Sequence, residues 1–373
     1  MTEQYTALYE EHKRLGASFT DFGGWQMPLK YSSELAEHHA VRKAAGLFDL
    51  SHMGEVEVTG PDAAAFLDYA LTGKLSAVAV GRAKYSLITN AEGGIIDDLI
   101  SYRLEEESYL VVPNAGNAAA VAAELAARAE GFDVAVEDQT AATSLVAVQG
   151  PAAEAILLDL VPADFRDAVT GMKYYAAAPV ELTVGGSSHK LLVARTGYTG
   201  EDGFEIYVPN DDAAALWQAL LAAGEGRGLV PAGLACRDSL RLEAGMPLYG
   251  NELSLEVDPY AAGLGGVVAL SKDGDFVGRE ALAAKKEQGP TRKLIGLKGS
   301  GRRSARSHYP VLKDGNTIGE VTSGAPSPTL GYPIALAYVD ASHAEPGTSL
   351  DVDLRGKPEP FEVVQLPFYK RAK

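Results

Sequence analysis

The middle of this chain repeats itself, and that constrains the fold more than any other feature. Glu55-Val56-Glu57-Val58-Thr59 alternates polar and apolar residues as a half-buried strand does. Gly60-Pro61 follows, and Asp62–Leu67 opens a helix with proline in its first turn. Further on, Ser144–Gln149 is again strand-like, and Gly150-Pro151 leads into the helical Ala152–Leu157. A second pair of signals runs in the same order. Tyr109–Val112 enters a helix over Asn117–Glu130 through Val-Pro-Asn, and Glu205–Val208 enters a helix over Asp211–Ala223 through the same tripeptide. Asn114 and Asn210 are therefore capping candidates, and Gly131 and Gly224 stand at the helix stops. Each half reads β-α-β-β-β-α, which predicts two related α+β units with mainly antiparallel strands. The junction of two such units is the default place for a site.

From about residue 292 the helical pattern fades. Short strands at 293–298, 309–312, 317–323, 334–339, 349–352 and 361–365 alternate with Gly- and Pro-rich turns, which predicts a small all-β C-terminal domain. The 373 residues suggest two or three domains, and the repeat plus the β-rich tail make three. No apolar run reaches the roughly 20 residues of a membrane span, and Met1-Thr2-Glu3-Gln4 lacks signal-peptide character. Cys236 is the only cysteine, which excludes an internal disulfide and fits a reducing cytoplasm. A net charge of −17 argues against nucleic-acid and anionic-lipid partners, which need basic footprints.

Three segments carry candidate chemistry. Ala83–Val112 reads as a three-stranded meander, with the adjacent Asp97 and Asp98 on its second strand. Strand alternation puts Asp98, Ile100 and Tyr102 on one face and Asp97, Leu99 and Ser101 on the other. An Asp there is either a structural cap or a positioned base. Arg195–Glu205 holds three glycines and is neither a P-loop nor a dinucleotide fingerprint; it is an ordinary hairpin loop or a close-approach ligand loop. Cys236–Glu243 looks helical, with Arg237, Asp238 and Arg241 forming an ion-paired face or Arg237 holding a carboxylate or polar ring. Cys236 reads as a small core residue. The histidines show no metal-ligand spacing, so no metal site is expected.

These segments belong to a longer series: Phe22–Pro28, Gly46–Gly54, Gly93–Leu99, Arg195–Glu205, Arg237–Gly245, Val321–Gly324, Ser327-Pro328 and Pro367–Tyr369. In that order they resemble the T-protein family of the glycine cleavage system, the aminomethyltransferases, over essentially the whole chain. The resemblance implies an α+β three-domain cloverleaf around a central folate channel. Residues 1–50 with 139–230 would form one α+β domain, 51–138 with 231–285 the second, and 286–373 a barrel-like β domain. It implies a cytoplasmic enzyme that transfers the methylene carbon of an aminomethyl group on the lipoyl arm of H-protein to the co-substrate tetrahydrofolate. The products would be ammonia, the reduced lipoyl arm and 5,10-methylenetetrahydrofolate. Carried over residue by residue, it makes Asp98 the catalytic acid. Met53, Tyr85, Asp98, Tyr102, Asn114 and Tyr198 become folate-pocket positions, Glu205 the partner of the pterin amidine edge, and Arg237 the frame of that end.

Ala261-Ala262-Gly263-Leu264-Gly265-Gly266 departs from relatives that read Glu-Ala-Gly-Leu-Gly-Trp. A related folate-dependent demethylase of small methylated substrates is the alternative enzyme. A folate-binding iron-sulfur assembly factor is disfavoured, because Met246–Glu252 lacks the cysteine those proteins carry. Docking of the lipoyl carrier leads us to expect a local basic patch near the channel mouth around Arg237, Arg302 and Arg303.

Overall fold

In the computed structural model, which describes residues 3–372, the two Gly-Pro corners have the same geometry. Gly60 has φ +132° and Gly150 φ +135°. The Gly60 N–H donates to the Glu107 carbonyl at 2.9 Å and the Gly150 N–H to the Asp202 carbonyl at 2.8 Å. Each glycine carbonyl accepts from the residue three positions on, Ala63 or Ala153, at 3.0 Å. A Cβ on Gly60 would lie 2.4 Å from the Asp133 carbonyl oxygen, and one on Gly150 2.4 Å from that of Ala44. Both the backbone angle and the close approach admit only glycine.

The chain opens with α1 (Tyr9–Arg14), the hairpin β1 (Ser18–Phe22) and β2 (Trp25–Lys30), α2 (Glu34–Lys43) and β3 (Ala45–Asp49). The first repeat is β4 (Val56–Thr59), α3 (Ala63–Ala70), β5 (Arg82–Thr89), β6 (Ile95–Glu105), β7 (Ser108–Val112) and α4 (Ala118–Arg128), closed by β8 (Ala135–Asp138). The second is β9 (Thr143–Gln149), α5 (Ala153–Leu160), α6 (Arg166–Thr170), β10 (Ala177–Val184), β11 (Ser187–Ala194), β12 (Gly203–Pro209) and α7 (Asn210–Gly224). Then come β13 (Leu229–Pro231), α8 (Leu234–Glu243), α9 (Arg279–Gln288) and six strands: β14 (Arg292–Gly299), β15 (Pro310–Lys313), β16 (Asn316–Pro326), β17 (Pro333–Asp340), β18 (Ser349–Asp353) and β19 (Pro358–Val364).

The repeats build sheets of the same order, β5-β6-β7-β4-β8 and β10-β11-β12-β9-β3-β13. Only the fifth position differs in origin, and β13 adds parallel to β3. Strands β9 and β12 are buried along most of their length, as central strands covered on both faces are. Helices α5 and α7 seat Ile156, Leu157, Leu216, Trp217 and Leu220 against Val146, Val148, Phe204 and Ile206. The six C-terminal strands close into a barrel, β14-β17-β16-β15-β18-β19, around Leu297, Val311, Val321, Ala337, Val339, Val352 and Phe361. Closure leaves no unpaired edge. Among the described residues no helix is long and apolar enough to cross a membrane.

By their contacts the residues fall into two units. One comprises residues up to Ala70, Lys74–Tyr85 and Leu99–Arg237; the other comprises Leu71–Gly73, Ser86–Asp98 and residues from Asp238 onward. In the second unit α8 is bolted to the barrel. Arg241 pairs with Glu252 at 3.0 Å and donates to Ser323 Oγ at 2.8 Å, and Ser323 donates to Glu252 at 2.6 Å. Glu243 accepts from the Ser327 and Thr329 hydroxyls and from the Thr329 N–H.

The side-chain capping expectation fails, while both glycines stand at their helix stops. Neither Asn114 nor Asn210 caps through its side chain. Asn210 is the first residue of α7, donates to the Ala141 carbonyl at 2.9 Å and accepts from Ser144 Oγ at 2.7 Å, so its amide is spent on a tertiary tie. Gly224 ends α7 without a left-handed backbone; a Cβ there would meet Leu229 at 2.2 Å, so close approach explains it. Gly131, with φ +89°, does stop its helix in the left-handed region.

Candidate functional site

The loop Arg195–Asp202 between β11 and β12 is held on three sides. Arg195 Nε donates to Asp202 at 3.0 Å and its Nη1 to the Met172 carbonyl at 3.0 Å. Arg42 donates to the Thr199 carbonyl at 2.7 Å and to Glu201 at 3.0 Å. The Gln149 amide donates to the Thr196 carbonyl and accepts from Thr199 Oγ1, both at 3.0 Å. Cβ atoms on Gly197 or Gly203 would strike Gln149 at 2.1 and 2.5 Å, so two of the loop's glycines exist to let this amide in.

So strapped, the loop presents Thr196 and Tyr198 to a buried polar cluster. Thr196 Oγ–H donates to Glu205 Oε2, and the Tyr102 hydroxyl lies 2.9 Å from Thr196 Oγ1 and 3.4 Å from the same Oε2. Both of these bonds fall on Oε2; among the described residues none is made to Glu205 Oε1. The residue is 9% exposed. Burial pushes the Glu205 carboxyl up, opposed by the Thr196 bond and the nearby Arg237 cation. Tyr102 is pushed well above the usual phenol range by burial and then by Glu205, so it is a neutral donor. Tyr207 packs edge-on to it at 6.0 Å. The Arg237 guanidinium stands 4.8 Å from the centre of the Tyr198 ring. Cation–π stacking of this kind is worth about 0.5–2 kcal/mol.

Two further motifs meet nearby in the same unit. The buried His52 ring sits edge-on to Phe22 at 5.4 Å, and its pKa is lowered to about 4 by burial and then by Arg237, so the ring is neutral. The Gly54 N–H donates to the Pro113 carbonyl at 3.1 Å, which sets Met53 beside Asn114. A Cβ on Gly54 would meet Pro113 and Ala118 at 2.7 Å.

On β6 burial alternates as the pleat demands: Asp97 is fully buried, while Asp98 is half-buried. Asp98 belongs to the second unit, where the Tyr249 hydroxyl donates to the Ile95 carbonyl at 3.1 Å. That phenol is pushed up by burial, then by Asp97, Glu256 and Asp98. Among the described residues no group of three or more His, Cys, Asp or Glu could hold a metal ion. Cys236 is buried, donates to the Gly233 carbonyl at 3.3 Å, and burial raises its thiol pKa.

Of the residues singled out from sequence, Tyr102, Tyr198, Glu205 and Arg237 form one cluster and Met53 with Asn114 a second junction, while Tyr85 lies half-buried on β5. Arg237 is not part of a surface patch: it is half-buried over Tyr198, and burial lowers its pKa. Sequence reading missed Thr196, Tyr207 and His52, although Thr196 and His52 lie inside quoted motifs. It also missed Tyr175, held at φ +60° by an N–H bond to the Arg195 carbonyl and a carbonyl bond from Ala83, both 3.0 Å. An aromatic residue is uncommon in that region.

The family model for the GCVT N-terminal domain matches residues 8–272, and that for the glycine cleavage T-protein C-terminal barrel domain matches residues 292–370. The chain is 60% identical to an aminomethyltransferase of Streptomyces avermitilis over 99% of this chain and 98% of that one. It is 57% identical to an aminomethyltransferase of Cutibacterium acnes over the full length of both. The crystal structure of the glycine cleavage system aminomethyltransferase T from Bartonella henselae superposes with a TM-score of 0.91 at 39% identity, covering 99% of each chain.

Proposed function

The chain belongs to the glycine cleavage T-protein family, and we propose that it is that family's aminomethyltransferase, moving the methylene carbon of an aminomethylated lipoyl arm on H-protein to tetrahydrofolate. The observation that carries the site assignment is Glu205: one carboxylate oxygen anchored by Thr196 and Tyr102, the other open, with a cation at its side. The open oxygen can accept an N–H from the polar edge of a pterin, and the bonds to the other oxygen fix the plane of the carboxyl group. Arg237 over Tyr198 frames the same end, and Met53 and Asn114 are the further pocket positions we assign.

When bound, tetrahydrofolate supplies the nucleophilic nitrogen. The protein's part is positioning and charge. Asp98, half-buried on the face of β6 that also bears Tyr102, is the carboxylate we assign to stabilise positive charge on the one-carbon unit and to accept a proton. Holding two large substrates in register supplies much of the remaining acceleration.

The test is a tetrahydrofolate-dependent ammonia-release assay with and without aminomethylated, lipoylated H-protein. Release that needs both supports the reading. Release from a small methylated amine without the carrier would instead identify a folate-dependent demethylase.

A further inference from the structure

The duplicated units diverge at one hairpin. In the first, β6 passes to β7 through residues 106–107; in the second, the matching strands β11 and β12 are joined by residues 195–202, the loop that carries Thr196 and Tyr198. A second difference accompanies this one. The residue before the corner glycine is Thr59 in one repeat, opposite Ser108 of β7, and Gln149 in the other, opposite Gly203 of β12. Gln149 is 1% exposed, and both ends of its amide are spent on the longer loop. Nε2 donates to the Thr196 carbonyl and Oε1 accepts from Thr199 Oγ1, each at 3.0 Å. A carbonyl can only accept, so the amide has one orientation. The Thr199 hydroxyl also accepts from the Glu201 N–H at 3.2 Å, which leaves its proton for Gln149. One side chain therefore ties both feet of the short arch Gly197-Tyr198.

We propose that Gln149 is a positioning residue of the folate pocket, setting through this one amide both the plane of the Glu205 carboxyl and the place of the Tyr198 ring. Thr196 is buried, and its hydroxyl donates to Glu205 Oε2. A β-branched side chain has few χ1 positions, so holding the Thr196 backbone aims that hydroxyl. Tyr198, on the arch itself, stacks with Arg237 at 4.8 Å. An apolar side chain of similar size in place of Gln149 would fill the space, but it would leave the Thr196 carbonyl unpaired and free the arch to turn. The first repeat, whose short turn bears no pocket residue, has no such amide at Thr59.

The proposal rests on the folate-binding reading, and the experiment separates the two. Calorimetric titration with 5-formyltetrahydrofolate, a stable analogue, returns a stoichiometry, which counts the folded molecules, and a Kd, which grades the pocket they hold. Gln149→Leu is expected to raise Kd about tenfold, the scale of a lost buried hydrogen bond. In turnover the same variant should raise the folate KM in step, while the KM for aminomethylated H-protein and kcat at saturating folate stay within a few-fold. Thr59→Val, at the equivalent position of the first repeat, should leave Kd unchanged. A lower stoichiometry with unchanged Kd in Gln149→Leu makes the residue merely structural and overturns the proposal, as does an equal rise in Kd for Thr59→Val. Should Gln149→Leu not fold, Thr199→Val decides: it removes one of the two ties and is expected to raise Kd about threefold, and an unchanged Kd overturns the proposal. Absence of wild-type binding overturns the pocket reading itself.

Discussion

Asp97 and Asp98 are adjacent and chemically identical, yet the pleat gives them different surroundings. Asp97 is fully sealed in the core face of β6, and Asp98 is half-open on the other. Asp98→Asn is expected to lower turnover about 100-fold or more, the scale of a lost proton-transfer group, while folate affinity stays within a few-fold. Asp97→Asn should instead lower the melting temperature and leave the turnover of the folded enzyme within a few-fold. Steady-state ammonia release and thermal unfolding, run on the same two variants, decide it; equal turnover losses would sink the assignment of Asp98. Glu205→Ala removes a charged acceptor worth about 1.5–3 kcal/mol, so folate affinity measured by calorimetry should fall roughly 10- to 100-fold.

At the level of elements, the duplication makes its own prediction. Gly60 and Gly150 each have a positive φ, an N–H bonded to a distant backbone carbonyl, and a second carbonyl oxygen 2.4 Å from the missing Cβ. Gly60→Ala and Gly150→Ala should each cost about 3 kcal/mol or more in denaturant unfolding, because strain and overlap add. Gly131→Ala has open space around it and should cost only about 1 kcal/mol. Unequal costs at the two corners would count against a duplicated architecture. These corners, the six barrel strands and the meander were legible because strand alternation and Gly/Pro punctuation are local signals. What was illegible depended on a partner distant in sequence. Asn210 looked like a cap because its ties to Ala141 and Ser144 cannot be seen from its own neighbours. Glu55 read as one more polar position of an alternating strand, yet it is 1% exposed. Sequence left Arg237 open between an ion-paired helix face and a cation holding a carboxylate or polar ring, and its stacking on Tyr198 of the loop between β11 and β12 could not be seen from its own neighbours. The left-handed Tyr175 has no sequence signal at all, since tyrosine carries no preference for that conformation.

For the molecule as a whole, a net charge of −17 leaves open how a protein substrate is drawn in. The loop between β14 and β15 bears Arg302, Arg303 and Arg306, all exposed and, among the described residues, without an ion-pair partner. The loop is not loose. Ala305 is sealed in the barrel core, Ser307 Oγ donates to the Thr322 carbonyl at 2.6 Å, and the His308 N–H donates to the Val321 carbonyl at 2.8 Å. Gly324 has no side chain where the Ala305 carbonyl sits; a Cβ there would lie 2.6 Å from its oxygen. A loop whose backbone is already held loses less freedom on pairing than a mobile one, and the guanidinium fork suits two-oxygen partners. If this loop recruits the lipoyl carrier through acidic side chains, reversing Arg302 and Arg303 to Glu should raise KM for aminomethylated H-protein by about tenfold and steepen no other parameter. The folate KM should stay put, and the wild-type carrier KM should rise with ionic strength as exposed charges are screened. Turnover with a free aminomethylated lipoamide separates the cases: it should be the same in variant and wild type if the arginines serve docking. A parallel loss with the free arm would assign the loop to the folding or chemistry of the barrel instead.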